Sequence, residues 1–478
     1  MMGSASLQFI AYGLAVGLIS NLSQSLAWRQ GVLLVASLGF LAFFSLDPMA
    51  FVPLASFLAV GYLGMRIMLS QSKRAFVPFL LVSILAFVWL KKYAFIPSAL
   101  FITHPYVTLG LSYIFFRVLH LIIDAHSENL PRNISVISYL NYTLNFTTLV
   151  SGPIQSYQEF ADMQVAAVPK ALNIMVAGHA IARIIVGFFK VNVLSLFLSM
   201  VQASALNSLG IGGDRDRVLN GALIVAVYPL YLYANFSGYI DIVIGIARFL
   251  RIELPENFDR PFSSQNFLIF WNRWHMTLST WLKTYVYNPL LITCMQRWPS
   301  SAAEPFIVVF AFFFTFFLIG VWHGQTSEYI FYGVLLGLGV SVTKLYQILM
   351  TKRMGRSKYT SLAQNRIYGI AARGLTFTWF SFSLLWFWSN WTQLGVMAGS
   401  LNSMQIAAVW VLIFVTSSVV LAAWEAARDG LLLYQFEGRP WVLSRYARTM
   451  WCTALVVITV TTVVLLNAPA PDIVYKAF

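Results

Sequence analysis

Charged side chains are scarce in this 478-residue chain, where Asp, Glu, Lys and Arg together make up only 10% of the residues while hydrophobic residues make up 59%. Soluble globular domains are about 25% charged and about 45–50% apolar. Both departures exclude a soluble protein with a single hydrophobic core, a disordered segment and a secreted disulfide scaffold. The composition predicts a polytopic, all-α membrane protein, and a mean hydropathy of +0.73 agrees with that class.

Acidic residues are rarer than basic ones, since the chain has 31 Lys and Arg and 17 Asp and Glu, which give a formal net charge of +14. Such an excess is typical of nucleic-acid binders among soluble proteins. In a membrane protein it marks cytoplasmic loops that face anionic lipid, so we predict contact with membrane lipids and none with nucleic acid. The clearest basic loops hold Lys352, Arg353, Arg356, Lys358 and Arg366, and Lys73 with Arg74.

Cysteine is almost absent, with only Cys294 and Cys452 in the chain. Two distant cysteines specify neither a disulfide framework nor a zinc site, and no metal site is predicted. Both are interpreted as small buried hydrophobes. The first twenty residues also lack the basic region of a signal peptide, so we expect them to form a first transmembrane helix that is retained.

Long apolar segments dominate the rest of the chain. A spanning helix needs about 20 mostly apolar residues, and we expect about 11 to 13 membrane helices. The candidates are 7–25, 31–46, 50–70, 75–95, 107–124, 136–151, 171–201, 217–250, 303–322, 328–350, 368–390, 405–426 and 449–467.

The stretch 251–300 is polar and aromatic together and interrupts this pattern. Four prolines prevent one continuous helix. Aromatic residues recur at helical spacing beside basic ones, as in segments that lie in the membrane interface. We expect this stretch either to lie along the cytoplasmic surface or to dip into a protein-lined cavity.

His323 and His275 are the best candidates for chemistry among six histidines. His323 follows an apolar run and occupies a break between two hydrophobic helices, where Gly320 and Gly324 permit close backbone approach. An apolar site favours the neutral imidazole that a general base needs. The alternatives are a packing histidine at a helix end and, for His275, an interfacial histidine beside Arg273.

The remaining polar residues in apolar segments favour structural roles. His120 and Asp124 share a helix face, and His179 lies in a similar apolar helix. Asp241 needs a partner inside its span, for which Arg248 is the candidate. His104 and His126 are interpreted as loop or interface residues.

Several catalytic signatures are missing, including a G-x-S-x-G elbow, a Walker A loop and a dinucleotide-binding G-x-G-x-x-G. The candidate catalytic residues that remain are histidine bases, without an obvious covalent nucleophile. Acyl transfer from an activated thioester to a hydroxyl suits it, because the enzyme then mainly positions two substrates and removes one proton.

Four blocks of sequence resemble the membrane-bound O-acyltransferase (MBOAT) family, and specifically its bacterial alginate and polysaccharide O-acetyltransferase branch. The blocks, in chain order, are Val150-Ser151-Gly152-Pro153-Ile154 with Tyr157 and Phe160; Phe236-Ser237-Gly238-Tyr239 with Asp241; 255–262 with Phe270-Trp271 through Ser279 and Trp281-Leu282; and Val321-Trp322-His323-Gly324. The resemblance implies a single domain over 1–478, with N-terminal helices in 1–130, a catalytic core in 131–350 and C-terminal helices in 351–478. It also implies a ring of tilted helices around a thinned centre, with re-entrant or interfacial helices.

The resemblance further implies roles for individual residues. His323 would be the catalytic base and His275 a second catalytic histidine. Residues expected to bind or position the donor are Trp271, Asn272, Arg273, Trp274, Ser279, Trp322, Gly324 and Asp241.

The implied reaction uses a cytoplasmic thioester donor and an exported polysaccharide, reached directly or through a periplasmic acetyltransferase partner, in the bacterial inner membrane. No cofactor is bound; the donor substrate is acetyl-CoA or an acylated carrier protein. The carrier alternative arises because the forms WNRWHM and VWHG also resemble the D-alanyl transfer protein of teichoic acid.

Two other classes of function stay open at this point. A transporter for a glycan or a lipid-linked precursor would use the same polar cavity without making a bond. A non-catalytic scaffold of an export complex would tolerate replacement of both histidines.

Overall fold

The computed structural model describes residues 6–70, 73–436 and 439–466. This part of the chain is helical apart from two antiparallel two-residue strands, Gln435–Phe436 and Arg439–Pro440. The chain divides into two compact units. The first contains Phe236–Pro255 and the described residues up to Val191, and the second contains Asn192–Asn235 and the described residues from Glu256 onward.

The first unit is built from eight helices and the last part of a ninth. They are α1 Leu7–Ser20, α2 Leu26–Ala42, α3 Val52–Leu69, α4 Phe76–Leu90, α5 Leu111–His126, α6 Val136–Thr143, α7 Tyr157–Gln164 and α8 Ile174–Phe189, with short 3₁₀ turns at Pro48–Phe51, Lys73–Ala75 and Ser98–Leu100. The 36-residue helix Asp214–Phe249 supplies the additional part.

The second unit begins within a π-helical turn, Lys190–Leu194, that joins α8 to the next helix. Its helices are α9 Ser195–Ser208, α10 Asp214–Phe249, α11 Phe267–Trp271, α12 Met276–Leu282, α13 Asn288–Arg297, α14 Glu304–His323, α15 Ser327–Met354, α16 Arg356–Gln364, α17 Arg366–Ser383, α18 Leu385–Trp388, α19 Trp391–Gly399, α20 Ser403–Leu433 and α21 Arg445–Leu466. A 3₁₀ turn precedes α11 at Pro261–Ser263, a π-helical turn joins α12 to α13 at Lys283–Tyr287, and a 3₁₀ turn at Trp441–Leu443 precedes α21. Part of the core of this unit is a cluster of Ala222, Val225, Phe377, Val409 and Ile413, which joins α10, α17 and α20.

Seven described helices are long and apolar enough to cross a membrane. They are Pro48–Leu69, Ile174–Ser208, Asp214–Phe249, Glu304–His323, Ser327–Met354, Ser403–Leu433 and Arg445–Leu466, and α1, α2 and α4 are shorter apolar helices. The predicted all-α polytopic class is confirmed. The predicted segments 107–124 and 368–390 also contain helices, namely α5 and the pair α17 and α18.

The predicted helix over 136–151 is wrong in its second half, because α6 ends at Thr143. The buried guanidinium of Arg117 donates hydrogen bonds to the carbonyl oxygens of Tyr142 (3.2 Å), Thr143 (2.8 Å) and Thr148 (2.9 Å). These bonds satisfy carbonyl groups that would accept from amides of the same segment if it were helical. Buried irregular backbone is therefore stable here although the local sequence is apolar.

Candidate active site

A buried amide anchors the segment that carries His275. The backbone carbonyl of Asn257 accepts a hydrogen bond from the amide of Met276 at 3.0 Å, and the amide of Asp259 donates to the carbonyl of Arg273 at 3.0 Å. The Asn257 side chain is fully buried, and its Oδ1 accepts from the amide (3.1 Å) and the hydroxyl (2.9 Å) of Thr277. These hydrogen bonds hold the segments before and after α11 together.

These contacts also determine how the His275 ring is protonated. Donation by the Thr277 amide identifies the Asn257 atom as the carbonyl oxygen, and His275 Nδ1 lies 3.2 Å from that same oxygen. Nδ1 must therefore carry the proton, which leaves Nε2 as the basic nitrogen. His275 lies outside the candidate membrane-spanning helices, and burial lowers its pKa to about 3. Its imidazole is neutral at physiological pH.

His275 also has an unusual backbone conformation, at the position directly before a helix. Its φ of 45° and ψ of 52° place it in the left-handed region, directly before α12. Few non-glycine residues adopt this conformation, and strain of this kind clusters at functional sites. The geometry turns the chain between α11 and α12 and holds the ring in the buried interior of the segment.

His323 is the last residue of α14 and is almost completely buried, with 1% of its surface exposed. Its ring lies against Trp322 (4.7 Å between ring centroids), Phe387 (5.2 Å) and Tyr332 (6.0 Å). These aromatic contacts and the burial of the ring exclude bulk water, which strengthens any polar interaction that the imidazole makes. The ring is thus held at a helix end, as the sequence predicted.

The chain before and after His323 requires glycine. A Cβ atom added at Gly320 would lie 2.2 Å from the Cα of Gly333, and one added at Gly324 would lie 2.0 Å from the Tyr329 ring. Gly324 has extended backbone, so the requirement there is space and not conformation. Helices α14 and α15 therefore approach closely next to His323, and the predicted close contact is confirmed.

A cavity of about 260 Å³ lies beside α14 in the second unit. Its wall combines three predicted donor-binding residues with residues that sequence reasoning missed. The lining residues are Leu268, Trp271, Asn272, Ser279, Leu282, Lys283, Tyr287, Phe312, Thr315, Phe316 and Ile319. Asn272 and Lys283 are exposed, whereas Ile319, one helical turn before His323, is 1% exposed. The cavity wall thus combines exposed and buried residues, and neither His323 nor His275 is among them.

Two polar atoms in this wall lack a hydrogen-bond partner among the described residues. They are the indole Nε1 of Trp271, a residue that is 3% exposed, and the hydroxyl Oγ of Ser279. Leaving a buried donor unsatisfied costs about 1–3 kcal/mol. Both atoms are buried within the wall itself.

The other predicted donor-binding residues of the second unit lie elsewhere. Trp274 packs in an aromatic cluster with Phe270 (5.6 Å between ring centroids), Phe380 (5.0 Å) and Phe258 (5.2 Å). Arg273 contributes its backbone carbonyl to the turn with Asp259. Neither residue lines the cavity, so their donor contacts stay predictions.

Asp241 lies in the first unit, and its predicted partner is wrong. The carboxylate accepts from Arg183 Nε at 2.9 Å and from Lys190 Nζ at 2.7 Å. Arg248 instead pairs with Glu253. Two cations from α8 and the following π-helical turn thus hold one acid of α10, which is the pairing expected of an ionised group within a membrane-spanning helix.

Two further histidines of the first unit have structural contacts. His120 Nδ1 lies 3.5 Å from Asp124, and its Nε2 accepts a hydrogen bond from the amide of Tyr157 at 3.0 Å. His126 stacks on Phe76 with 4.0 Å between ring centroids. Within the described ranges, no group of three His, Cys, Asp or Glu side chains is placed to hold a metal ion.

Residues 7–383 match the model of the membrane-bound O-acyltransferase family. The chain belongs to this family. The match includes every residue of the cavity, both histidines and the Asp241 ion pairs.

The relatives of this chain carry the names of two different activities. A teichoic acid D-alanyltransferase of Bacillus subtilis is 29% identical over 270 residues, which cover 56% of this chain and 65% of the relative. A teichoic acid D-alanyltransferase of Streptococcus thermophilus is 31% identical over 49% of this chain and 56% of its own length. A probable alginate O-acetylase of Pseudomonas syringae pv. tomato is 30% identical over 51% of this chain and 44% of its own length. The chain therefore aligns with roughly half to two thirds of the length of these relatives.

Proposed function

We propose that this protein is a membrane O-acyltransferase that moves a short acyl group, acetyl in our preferred assignment, from a cytoplasmic thioester donor toward an exported polysaccharide. The observation that carries the proposal is the cavity beside α14, whose wall includes Ile319, one helical turn before His323 on the same helix. Family membership supplies the class of reaction. The bacterial inner membrane is the location that fits a cytoplasmic donor and an exported acceptor.

In the proposed reaction, His323 removes the proton of an acceptor hydroxyl. The hydroxyl oxygen then attacks the thioester carbonyl, the carbon–sulfur bond breaks, and the proton passes to the leaving thiolate. The products are an ester and a free thiol. Because a thioester is already activated, positioning two substrates and moving one proton are sufficient.

His275 supports this reaction as the second histidine of the proposal. Its neutral ring has a basic Nε2, which can accept a hydrogen bond from a donor or acceptor group. Trp322 and Gly324 hold His323 in place, while Trp271, Asn272 and Ser279 contribute to the donor cavity. Roles for Arg273 and Trp274 at the donor entrance, and for Asp241, remain part of the proposal.

The donor is acetyl-CoA or an acylated carrier protein. The likeness to alginate O-acetylases favours the first, and the likeness to teichoic acid D-alanyltransferases favours a carrier-linked D-alanyl group. The acceptor is a polysaccharide or another cell-surface polymer, reached directly or through an exported acetyltransferase partner.

The decisive experiment supplies labelled acetyl-CoA, or acylated carrier protein, and acceptor extract to the purified protein in lipid. His323→Ala should lower transfer by at least about 100-fold, since general-base catalysis contributes 10²–10⁴-fold. The matched control is His179→Ala, because His179 is exposed on α8 of the first unit. Transfer that survives in folded His323→Ala protein would overturn the proposed role of His323. Substrate movement without thioester consumption would instead indicate a transporter.

A further inference from the structure

We propose that a second cavity, at the ends of α3 and α5 in the first unit, binds the phosphoethanolamine headgroup of a membrane phospholipid. Arg132 would bind the phosphate and Glu128 the ammonium. The cavity measures about 160 Å³. None of its lining residues belongs to the proposed acyl-transfer site, so lipid binding here does not depend on the proposed function.

The cavity lies at the depth of lipid headgroups. Its wall includes residues 68–69, which end the membrane-crossing helix Pro48–Leu69, and residues 125–126, which end α5. A spanning helix leaves the hydrocarbon core where the headgroups begin. The turn after α3 contains Lys73 and Arg74, and basic residues of this kind mark the cytoplasmic side. A headgroup of the cytoplasmic leaflet is therefore the ligand that this position offers.

Two side chains of opposite charge line the cavity. They are Glu128 and Arg132, and Arg132 forms no ion pair in the part of the chain that the structure describes. A guanidinium binds phosphate through its paired N–H donors. A carboxylate has about four acceptor sites, so Glu128 can accept from an ammonium in addition to the interaction that it makes within the protein. The wall thus has one group for each charge of a zwitterionic headgroup.

The size of the cavity fits this headgroup. In phosphoethanolamine, four bonds of about 1.5 Å join phosphorus to nitrogen, so its two charges lie within about 5 Å of each other. Sites for whole drug-sized ligands measure about 300–1,000 Å³, whereas this cavity measures about 160 Å³. Its apolar lining, Leu130 and residues 68–69, suits the carbon atoms of the headgroup and of the glycerol next to it.

The two charged residues are carried by a backbone with a fixed conformation. Glu128 has a φ of 60°, in the left-handed region where glycine is usual after a helix. The amide of Asn129 donates to the carbonyl of Asp124 at 2.9 Å, and the guanidinium of Arg66 donates to the carbonyl of Arg132 at 3.5 Å. Such strained backbone clusters at ligand sites. Both charges are therefore presented from a defined turn.

The chemistry of the wall distinguishes ethanolamine from the other common headgroups. An ethanolamine ammonium has N–H donors for the Glu128 carboxylate, whereas the quaternary ammonium of choline has none. A glycerol headgroup has no positive charge, and it would leave the negative charge of its phosphate beside Glu128 without compensation. Phosphatidylethanolamine should therefore be preferred over phosphatidylcholine and over phosphatidylglycerol.

Native mass spectrometry of the whole protein, released from nanodiscs that contain these three lipids in equal amounts with identical acyl chains, tests the preference without catalysis. The parent should retain phosphatidylethanolamine about three- to fivefold over each of the other lipids, as one partly exposed charge pair allows. Glu128→Gln should remove this preference, and Glu128→Lys should shift it to phosphatidylglycerol. Arg132→Gln should lower retention of all three lipids.

Arg74→Gln is the matched control, because Arg74 is an exposed cation near the end of α3 that does not line the cavity. It should keep the preference of the parent. Glu128 and Arg132 are exposed, so their variants should fold, and a gain of phosphatidylglycerol in Glu128→Lys is a result that misfolding does not produce.

Equal retention of the three lipids by the parent, or an ethanolamine preference that survives in both Glu128→Gln and Arg132→Gln, would overturn the proposal. A second arm tests for a soluble source of the same chemistry. The parent in phosphatidylcholine nanodiscs is titrated with O-phosphoethanolamine, and its thermal unfolding is followed. Stabilisation by this probe together with no preference among the three lipids would assign the cavity to a soluble ligand, and the assignment to a phospholipid would fail.

Discussion

At the scale of single residues, Asn257 sets the chemistry that His275 can perform. A ring whose Nδ1 donates to Asn257 Oδ1 and whose surroundings disfavour charge is a hydrogen-bond acceptor at Nε2. Neither property is visible in the sequence around His275, because Asn257 lies eighteen residues earlier in the chain. The sequence contained Asn257 within a recognisable block but gave no indication of which side chain it would hold.

Titration of His275 follows from this arrangement. Its folded pKa of about 3 lies below the value of about 6.5 expected in the unfolded chain. The unfolded state therefore binds more protons between these values, so the stability that His275 contributes is complete above about pH 6.5 and is lost as the pH falls toward 3. Histidine NMR in detergent should show His275 unchanged from pH 8 to pH 5. Asn257→Asp should raise its pKa, since a carboxylate favours the charged ring. A midpoint near 6.5 in the parent would contradict the assignment.

The partners of Asp241 show a limit of sequence reasoning at this scale. Local spacing favoured Arg248, which follows on the same helix. The actual partners, Arg183 and Lys190, lie 58 and 51 residues away. An ion pair between helices depends on which faces pack together, and hydropathy does not specify that. The need for a partner was predictable, whereas its identity was not.

At the scale of elements, hydropathy located most helices because backbone groups in lipid must be paired within the helix. It failed at 136–151, where Arg117 pairs with backbone carbonyls and the chain no longer needs to be helical. It also could not decide how 251–300 is arranged. The short helices α11 and α12 with the buried aromatics Phe270 and Trp274 show that one face of this stretch is covered by protein.

The α14–α15 hairpin depends on the absence of side chains where its helices cross. Gly320→Ala would place a methyl group 2.2 Å from Gly333 backbone atoms and should destabilise the protein by about 1–3 kcal/mol. Gly178→Ala is the control, because its added Cβ meets no atom within 4 Å in α8. Alanine there should be neutral or stabilising by about 0.5–1 kcal/mol. Thermal unfolding of both variants in one detergent measures the contrast, and equal midpoints would exclude a tight crossing.

At the scale of the whole molecule, the family match and the compact units divide the chain differently. The family model covers 7–383, which includes most of the first unit and the cavity of the second. Helices α20 and α21 lie beyond it, although α20 packs into the core of the second unit through Val409 and Ile413. One domain over 1–478, arranged as a ring of helices, stays a prediction. The motifs could identify the family because its chemistry constrains particular residues, while the C-terminal helices are constrained mainly by hydropathy.

Orientation in the membrane is a property of the whole chain that basic loops predict. The connection from α15 to α17 carries five Lys and Arg residues between Lys352 and Arg366 and no acid, so it should face the cytoplasm. The predicted span 368–390, which contains α17 and α18, would then cross once and place the end of α19 on the opposite face. In a Cys294→Ala, Cys452→Ser background, Gly399→Cys should react with an impermeant maleimide on intact cells. Ser357→Cys should react only after permeabilisation. Both positions are exposed, and Gly399 has open space around its Cβ direction, so reactivity reports sidedness and not burial. Labelling of Ser357→Cys from outside would reverse the orientation and, with it, the side from which the donor enters.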